Sequence, residues 1–259
     1  MIENTSKKQA KIFISHSSQD LAFVQPLVEL FEHIGLNSEN MFCSSISGYK
    51  VPLDDNIYEY LKKQFQNYDL RIIFVLSENY YNSVASLNEM GAAWVLQHKY
   101  TCVLLPQFDY RDVKGVVDHM KISIKLDSDK RELKDRLNEL RNIIADEFGL
   151  NMSLSSQNVW ERHRDEFIDK VNSTDVYWKQ LRELREKNRP ISEWVFPLKM
   201  LIRSNPYSYD AMYMLGTIYA ETNDIENAIK YLKMTAKSSK NDELTKKANE
   251  KLLNLGYTI

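Results

Sequence analysis

The sequence predicts an α/β domain built on a parallel sheet, followed by a smaller all-helical domain. Three observations carry that reading. Short apolar runs alternate with stretches of helical period through the first half of the 259 residues. One of those runs, Ile72-Ile73-Phe74-Val75-Leu76, is continuous rather than alternating, as in strands covered on both faces. Strand signals then stop near Gly149. The division expected on this basis is residues 1–149 and residues 150–259.

In chain order, strands are expected at Lys11-Ile12-Phe13-Ile14-Ser15, at Met41-Phe42-Cys43, from Leu70 to Leu76, from Thr101 to Leu105 and from Lys121 to Leu126. Helices are expected from Leu21 to Ile34, Asp55 to Gln66, Ser83 to His98 and Asp129 to Phe148, each with apolar residues three and four apart. Parallel sheets of this kind bind ligands beyond the carboxyl ends of their strands, so functional residues are sought just after positions 15, 43, 76 and 105. Beyond Gly149 the chain reads as helices punctuated by Pro190, Pro197 and Pro206. Its clearest piece runs Ala211, Met212, Leu215, Gly216, Tyr219, a turn at Thr222-Asn223-Asp224, then Ala228, Leu232 and Thr235. Those positions resemble a tetratricopeptide repeat, with a degenerate neighbour containing Trp194, Leu198 and Leu201. An ordinary helical hairpin is the alternative. One repeat cannot bury its own face, so further helices or another chain must cover it.

Composition narrows the function classes. A formal charge of −2, with Lys and Arg scattered among Asp and Glu, gives no electrostatic reason to expect nucleic acid or an anionic membrane as partner. Hydrophobic content of 43% places the chain with globular rather than disordered sequences. Its opening residues lack the apolar run of a signal peptide, so a cytoplasmic location is expected. Cys43 and Cys102 fall in strands and are expected as small buried residues. No metal-ligand spacing exists among the histidines and cysteines, and no phosphate-binding Gly-rich signature is present, which disfavours Rossmann oxidoreduction.

Three segments, spread over residues 10 to 148, resemble the TIR (Toll/interleukin-1 receptor-like) family of bacteria. They are Ile12-Phe13-Ile14-Ser15-His16-Ser17-Ser18-Gln19-Asp20, then Phe42-Cys43-Ser44-Ser45-Ile46-Ser47-Gly48-Tyr49-Lys50-Val51-Pro52-Leu53-Asp54-Asp55-Asn56, and Leu76-Ser77-Glu78-Asn79-Tyr80-Tyr81 continuing through Ser86-Leu87-Asn88-Glu89-Met90-Gly91-Ala92-Ala93-Trp94. The resemblance implies a flavodoxin-like five-stranded parallel sheet, a cytosolic oligomer assembled through TIR contacts, and cleavage of NAD+ as substrate, with no bound cofactor. It further implies a role in antiphage defence or nucleotide signalling. Asp54 stands where many relatives place glycine, and Ala85 replaces an aromatic that several active relatives set beside the substrate.

On this resemblance Glu89 is the catalytic residue. Breaking the bond between nicotinamide and ribose builds oxocarbenium character on the sugar, and a carboxylate answers that charge. The pyridinium leaves as neutral nicotinamide, so no acid is needed. Ser86-Leu87-Asn88-Glu89 also reads as a capping box, which would place Glu89 in the first helical turn and favour its ionised form. Ser15 and His16 are expected to line the crevice floor as substrate-binding residues, with Ser44, Ser45, Gly48 and Lys50 offering hydroxyls, amides and one positive charge to a pyrophosphate. A strand-to-helix loop needs similar residues for purely structural reasons. The segment Gly48 to Asp55 is expected to be mobile. Trp94, five residues beyond Glu89, is expected to pack in the core, and Tyr80 and Tyr81 to pack or shape the pocket wall. The competing reading is a non-catalytic TIR adaptor that recruits a protein partner through its helical domain. A phosphoacceptor fold is disfavoured because an acidic cluster at the ends of the first and central strands is missing.

Overall fold

The structure, a computed structural model, describes residues 8–46, 48–49, 56–118, 120–150, 152–238 and 242–257. Among them, β1 (Ala10–Ser15), β2 (Met41–Phe42), β3 (Asp69–Leu76), β4 (Lys99–Leu104) and β5 (Ile124–Lys125) form one sheet. Every neighbouring pair is parallel, in the order β2-β1-β3-β4-β5. That is the flavodoxin-like doubly wound order.

The helices follow from the periodicity: α1 (Leu21–Glu32), α2 (Ile57–Asn67), α4 (Val84–Val95) and α5 (Lys130–Phe148), with Gly149 closing α5 in the left-handed conformation. The short α3 (Glu78–Tyr81) has no counterpart in the sequence reading. One turn is too brief to show a period, and it forms because the Ser77 side chain accepts the amide of Tyr80. The last expected strand contracts to two residues.

Side chains alternate across the sheet. Phe13, Ile72, Phe74, Leu76, Cys102 and Leu104 join Leu61 and Phe65 of α2 and Met90 and Ala93 of α4 in one core. Ile12, Ile14, Ile73, Val75 and Val103, equally buried, point to the opposite face. This pleat sends Ser15, two residues after Phe13, toward the α4 side of the sheet. Cys43 and Cys102 are buried and not disulfide-bonded. Arg71 donates from Nε and Nη2 to the two carboxylate oxygens of Glu147, a bidentate pair that fastens the end of α5 to β3.

From Leu154 the described chain is helical: α6 (Leu154–Glu186), α7 (Val195–Ser204), α8 (Tyr209–Glu221), α9 (Ile225–Ser238) and α10 (Asp242–Asn254). Pro197 lies inside α7 rather than between helices; as the third residue its missing N–H forfeits no intrahelical bond. Thr222 ends α8 and Asn223 takes a φ of 60°, as the expected turn requires. Leu198 and Leu201 of α7 share a core with Ala211, Leu215, Tyr219 and Ala228. A Cβ on Gly216 would lie 2.9 Å from Leu232 Cγ, so the glycine permits the close approach of α8 to α9.

The compact units do not divide at residue 149. One comprises residues 1–17 and 27–165, the other 18–26 and 166–259, so both α1 and α6 run from one unit into the other. The first turns of α6 belong with the sheet: Trp160 is 1% exposed and donates to Asn138 of α5. In α1, Pro26 has no N–H to give the carbonyl of Ala22. Asn205 donates its side-chain amide to that carbonyl instead, at 2.5 Å, within the helical unit.

Candidate active site

Glu89 sits where three elements converge at the carboxyl end of β1. Ser15, the last residue of β1, donates its hydroxyl to Glu89 Oε2 at 2.6 Å. The Ser15 oxygen also lies 3.0 Å from the hydroxyl of Tyr80 in α3. Tyr80, fully buried, donates in turn to the carbonyl of Ser86 in α4 at 2.9 Å. The Ser86 hydroxyl reaches the carbonyl of His16 at 3.2 Å, which ties the loop after β1 to the start of α4.

The position of Glu89 in its helix differs from the capping-box reading. Ser83 is the N-cap of α4, its side chain accepting the amide of Ser86, and Glu89 follows in the second turn. Ser83 wins because a cap there lets Ser86 turn its hydroxyl toward His16 and leaves Glu89 free to meet Ser15. Ionisation also departs from expectation. Burial pushes the Glu89 carboxyl up to about 7, against the opposing pull of the Ser15 hydrogen bond. The helix N-terminus is too far along the chain to offset this.

A cavity of about 280 Å³ opens beside the carboxylate. Leu61, Phe65, Ala85, Ala92 and Leu96 give it largely apolar walls, while Glu89, Asn88, Lys62 and Gln66 stand at it with polar groups. Ala85 is part of the reason the space exists, since a larger side chain there would enter it.

His16 is 7% exposed and held neutral, its imidazole pushed down to about 4 by burial. Nδ1 lies 3.2 Å from the carbonyl of Ile14 and donates to it, which leaves Nε2 as a buried acceptor without a partner among the described residues. Neither His16 nor Ser15 is among the residues that line the cavity, although both were expected to line the crevice floor.

The remaining expected ligands are not gathered with these. Ser44 and Ser45 are partly buried in the loop after β2, and Gly48 is exposed there with a φ of 87°. None of the three lines the cavity or bonds Glu89 among the described residues. Lys50, Asp54 and most of the segment expected to be mobile lie outside the described residues. Trp94 is 58% exposed, not packed in the core. It belongs with Val84, Leu87 and Val95 to the face of α4 turned away from the sheet, whereas Met90 and Ala93 face inward. The role of Tyr80 beneath Glu89 had no sequence signal beyond its place after the central strand.

Among the described residues no group of three or more His, Cys, Asp and Glu is placed to hold a metal ion, and no helix is long and apolar enough to cross a membrane. Fold and site define the class: a parallel α/β sheet with one partly buried carboxyl group, met by the last residue of β1, beside a largely apolar cavity between α2 and α4. No family model matches the chain. It is 35% identical over 165 residues to the uncharacterized protein YddK of Bacillus subtilis (strain 168). That stretch covers 63% of this chain and 58% of YddK.

Proposed function

We propose that the protein is a TIR-type NAD+ nucleosidase that cleaves the bond between nicotinamide and ribose, with Glu89 as the catalytic carboxylate. The observation that carries this reading is the single carboxyl group of Glu89, oriented by Ser15 at the wall of an apolar cavity. A flat nicotinamide ring suits such walls, and Asn88 supplies a polar contact for its amide. The ribosyl carbon would then lie against Glu89.

As the glycosidic bond lengthens, positive charge develops on the sugar, and the ionised Glu89 stabilises it. Nicotinamide departs neutral, so one carboxylate suffices. Water capturing the ribosyl carbon yields ADP-ribose; a nitrogen of the adenine capturing it yields a cyclised isomer. In the free protein a carboxyl near 7 is only partly ionised at neutral pH. The cationic pyridinium of the substrate favours the ionised form on binding. By its resemblance to the family, the activity serves antiphage defence or nucleotide signalling in the cytoplasm, within a homo-oligomer and with the helical, tetratricopeptide-like region docking a protein partner.

The experiment is incubation of purified protein with NAD+ followed by chromatography of all products. Nicotinamide should appear in step with ADP-ribose or its cyclised isomer. If no nicotinamide is released at any protein concentration or pH, the enzymatic reading fails. The exposed apolar stripe Val84, Leu87, Trp94 and Val95 on α4 favours a second reading, a non-catalytic adaptor assembling through that face.

A further inference from the structure

The hydrogen-bonded chain under Glu89 has a direction, and the direction assigns a role to Tyr80. Its links are Glu89 to Ser15 at 2.6 Å, Ser15 to Tyr80 at 3.0 Å and Tyr80 to the Ser86 carbonyl at 2.9 Å. A carbonyl only accepts, so the last link uses the one proton of Tyr80. The Tyr80 oxygen is then left to accept from Ser15. With Glu89 protonated, Glu89 donates to Ser15, Ser15 to Tyr80 and Tyr80 to Ser86, and all three links are made.

Removing the proton from Glu89 breaks that pattern. Ser15 must turn its only proton to the carboxylate. The contact between Ser15 and Tyr80 then has a proton only if Tyr80 abandons Ser86. One link is lost in either arrangement. Tyr80 is fully buried and its own hydroxyl is pushed well above the usual phenol range by burial, so it stays protonated and cannot resolve the conflict by ionising.

The geometry points to Tyr80 as a positioning residue that acts through Ser15 on Glu89, holding the carboxyl in its protonated form until a substrate displaces the balance. Ser15 pulls the other way, because its bond to a carboxylate is charge-assisted and stronger than its bond to a carboxylic acid. The other ionisable groups around the carboxyl are Lys62 on α2, which lines the same cavity, neutral His16 after β1, and Tyr81 beside Tyr80 on α3. None of them completes a hydrogen-bonded chain to Glu89 among the described residues.

This inference rests on the reading of Glu89 as the reacting group only for its consequence in catalysis; the proton chain itself is tested without substrate. Full-length protein is labelled with carboxyl-¹³C glutamate, the Glu89 signal is identified by its absence in Glu89→Gln, and its titration is followed by NMR. Tyr80→Phe, which keeps the buried ring, should lower the Glu89 midpoint by about 0.5 to 1 unit, the worth of one hydrogen bond. Ser15→Ala should raise it by about as much, and Ser15→Thr, which keeps the hydroxyl, should restore it. Opposite signs from two neighbours are not produced by general loosening of the core. A midpoint that Tyr80→Phe leaves unmoved, or that both variants move in one direction, overturns the inference. If the midpoints move as expected while Glu89→Gln still cleaves NAD+, the chain stands and the assignment of Glu89 as the catalytic carboxylate falls. If Glu89→Gln is inactive and the pH profile of kcat/KM in Tyr80→Phe follows the shifted midpoint, both stand.

Discussion

Two buried polar clusters, one in each compact unit, differ in the partners they end on. In the helical unit, the buried Thr174, Asn205 and Thr235 are consumed by backbone: Thr174 and Thr235 donate to carbonyls one turn back, and Asn205 supplies the carbonyl that Pro26 orphans. In the sheet unit, Ser15, Tyr80 and Glu89 bond one another before the chain reaches the carbonyl of Ser86. Polar burial that ends on backbone locks an element in place. Polar burial that ends on a carboxyl group beside a cavity stores a chemical option at a cost in stability. The proposed chemistry would then belong to the sheet unit, while the Thr174, Asn205 and Thr235 cluster serves packing.

The sharpest way to break the comparison is Glu89→Ala. It should reduce NAD+ cleavage by about 10²- to 10³-fold, the scale on which a charge-stabilising group is lost, while leaving the thermal midpoint as high as that of the unsubstituted protein. Wild-type turnover in the purified variant would make Glu89 a packing residue and erase the contrast. Next in size is Trp160→Ala, expected to destabilise the sheet unit by about 3–5 kcal/mol in denaturant unfolding. The same reasoning predicts that a fragment ending at Gly149 folds less stably than one ending at Asp165, because the shorter fragment lacks the buried Trp160 and its bond to Asn138. Equal stability of the two fragments would return the boundary to residue 149.

Smaller effects test the packing role of the helical unit. Asn205→Ala should cost about 1–3 kcal/mol, since the Ala22 carbonyl is left without its donor. Gly216→Ala gains helix propensity of about 1 kcal/mol but forces a methyl onto Leu232, for a net loss of about 1–2 kcal/mol. Neither substitution should alter the pH dependence of catalysis, and a changed pH profile in either would join the two units functionally.

Glu89 also leaves a mark on stability against pH. Its carboxyl is raised from 4.5 to about 7 in the fold, so between those values the folded chain binds a proton that the unfolded chain has released. This contribution favours the folded state fully below about 4.5 and fades as pH rises through 7. Glu89→Gln should therefore flatten the decline in stability between pH 4.5 and 7, as read from urea midpoints at several pH values; a parallel decline in both proteins would place the titrating group elsewhere. The proposed NAD+ cleavage should run the other way, with kcat/KM rising with pH to a plateau above about 7.

Much of the fold was legible in the sequence because it is written in local periods. The continuous run Ile72 to Leu76 specified a strand buried on both faces, and three-and-four spacing specified α1, α2, α4 and α5 within a few residues. The strand expected from Lys121 to Leu126 is present but shortened to Ile124–Lys125, and the single turn α3 escaped, since one turn is too short to show a period. At the site, Ser15 and Glu89 could each be singled out by place and residue type, and the tertiary structure brings them to hydrogen-bonding distance. Ser44, Ser45 and Gly48 had the same kind of local signal, and among the described residues they stay apart from Glu89.

By itself, then, the sequence determined which segments are strands and helices and which faces are buried, since burial pattern repeats along the chain with the period of the backbone. Only the tertiary structure decided what meets what. Ser15 and Glu89 are 74 positions apart and Asn205 and Ala22 are 183 apart. Those meetings depend on strand register and helix docking, which no local window contains. The same holds for the start of α4. Ser83 and Ser86 are both competent caps by local chemistry, and Ser83 takes the role because Ser86 and Glu89 are engaged by His16 and Ser15 across the sheet edge. Proton affinity followed from that choice: a glutamate the capping box would have held ionised in the first turn became, one turn later and in contact with the core, a carboxyl group that titrates near neutrality.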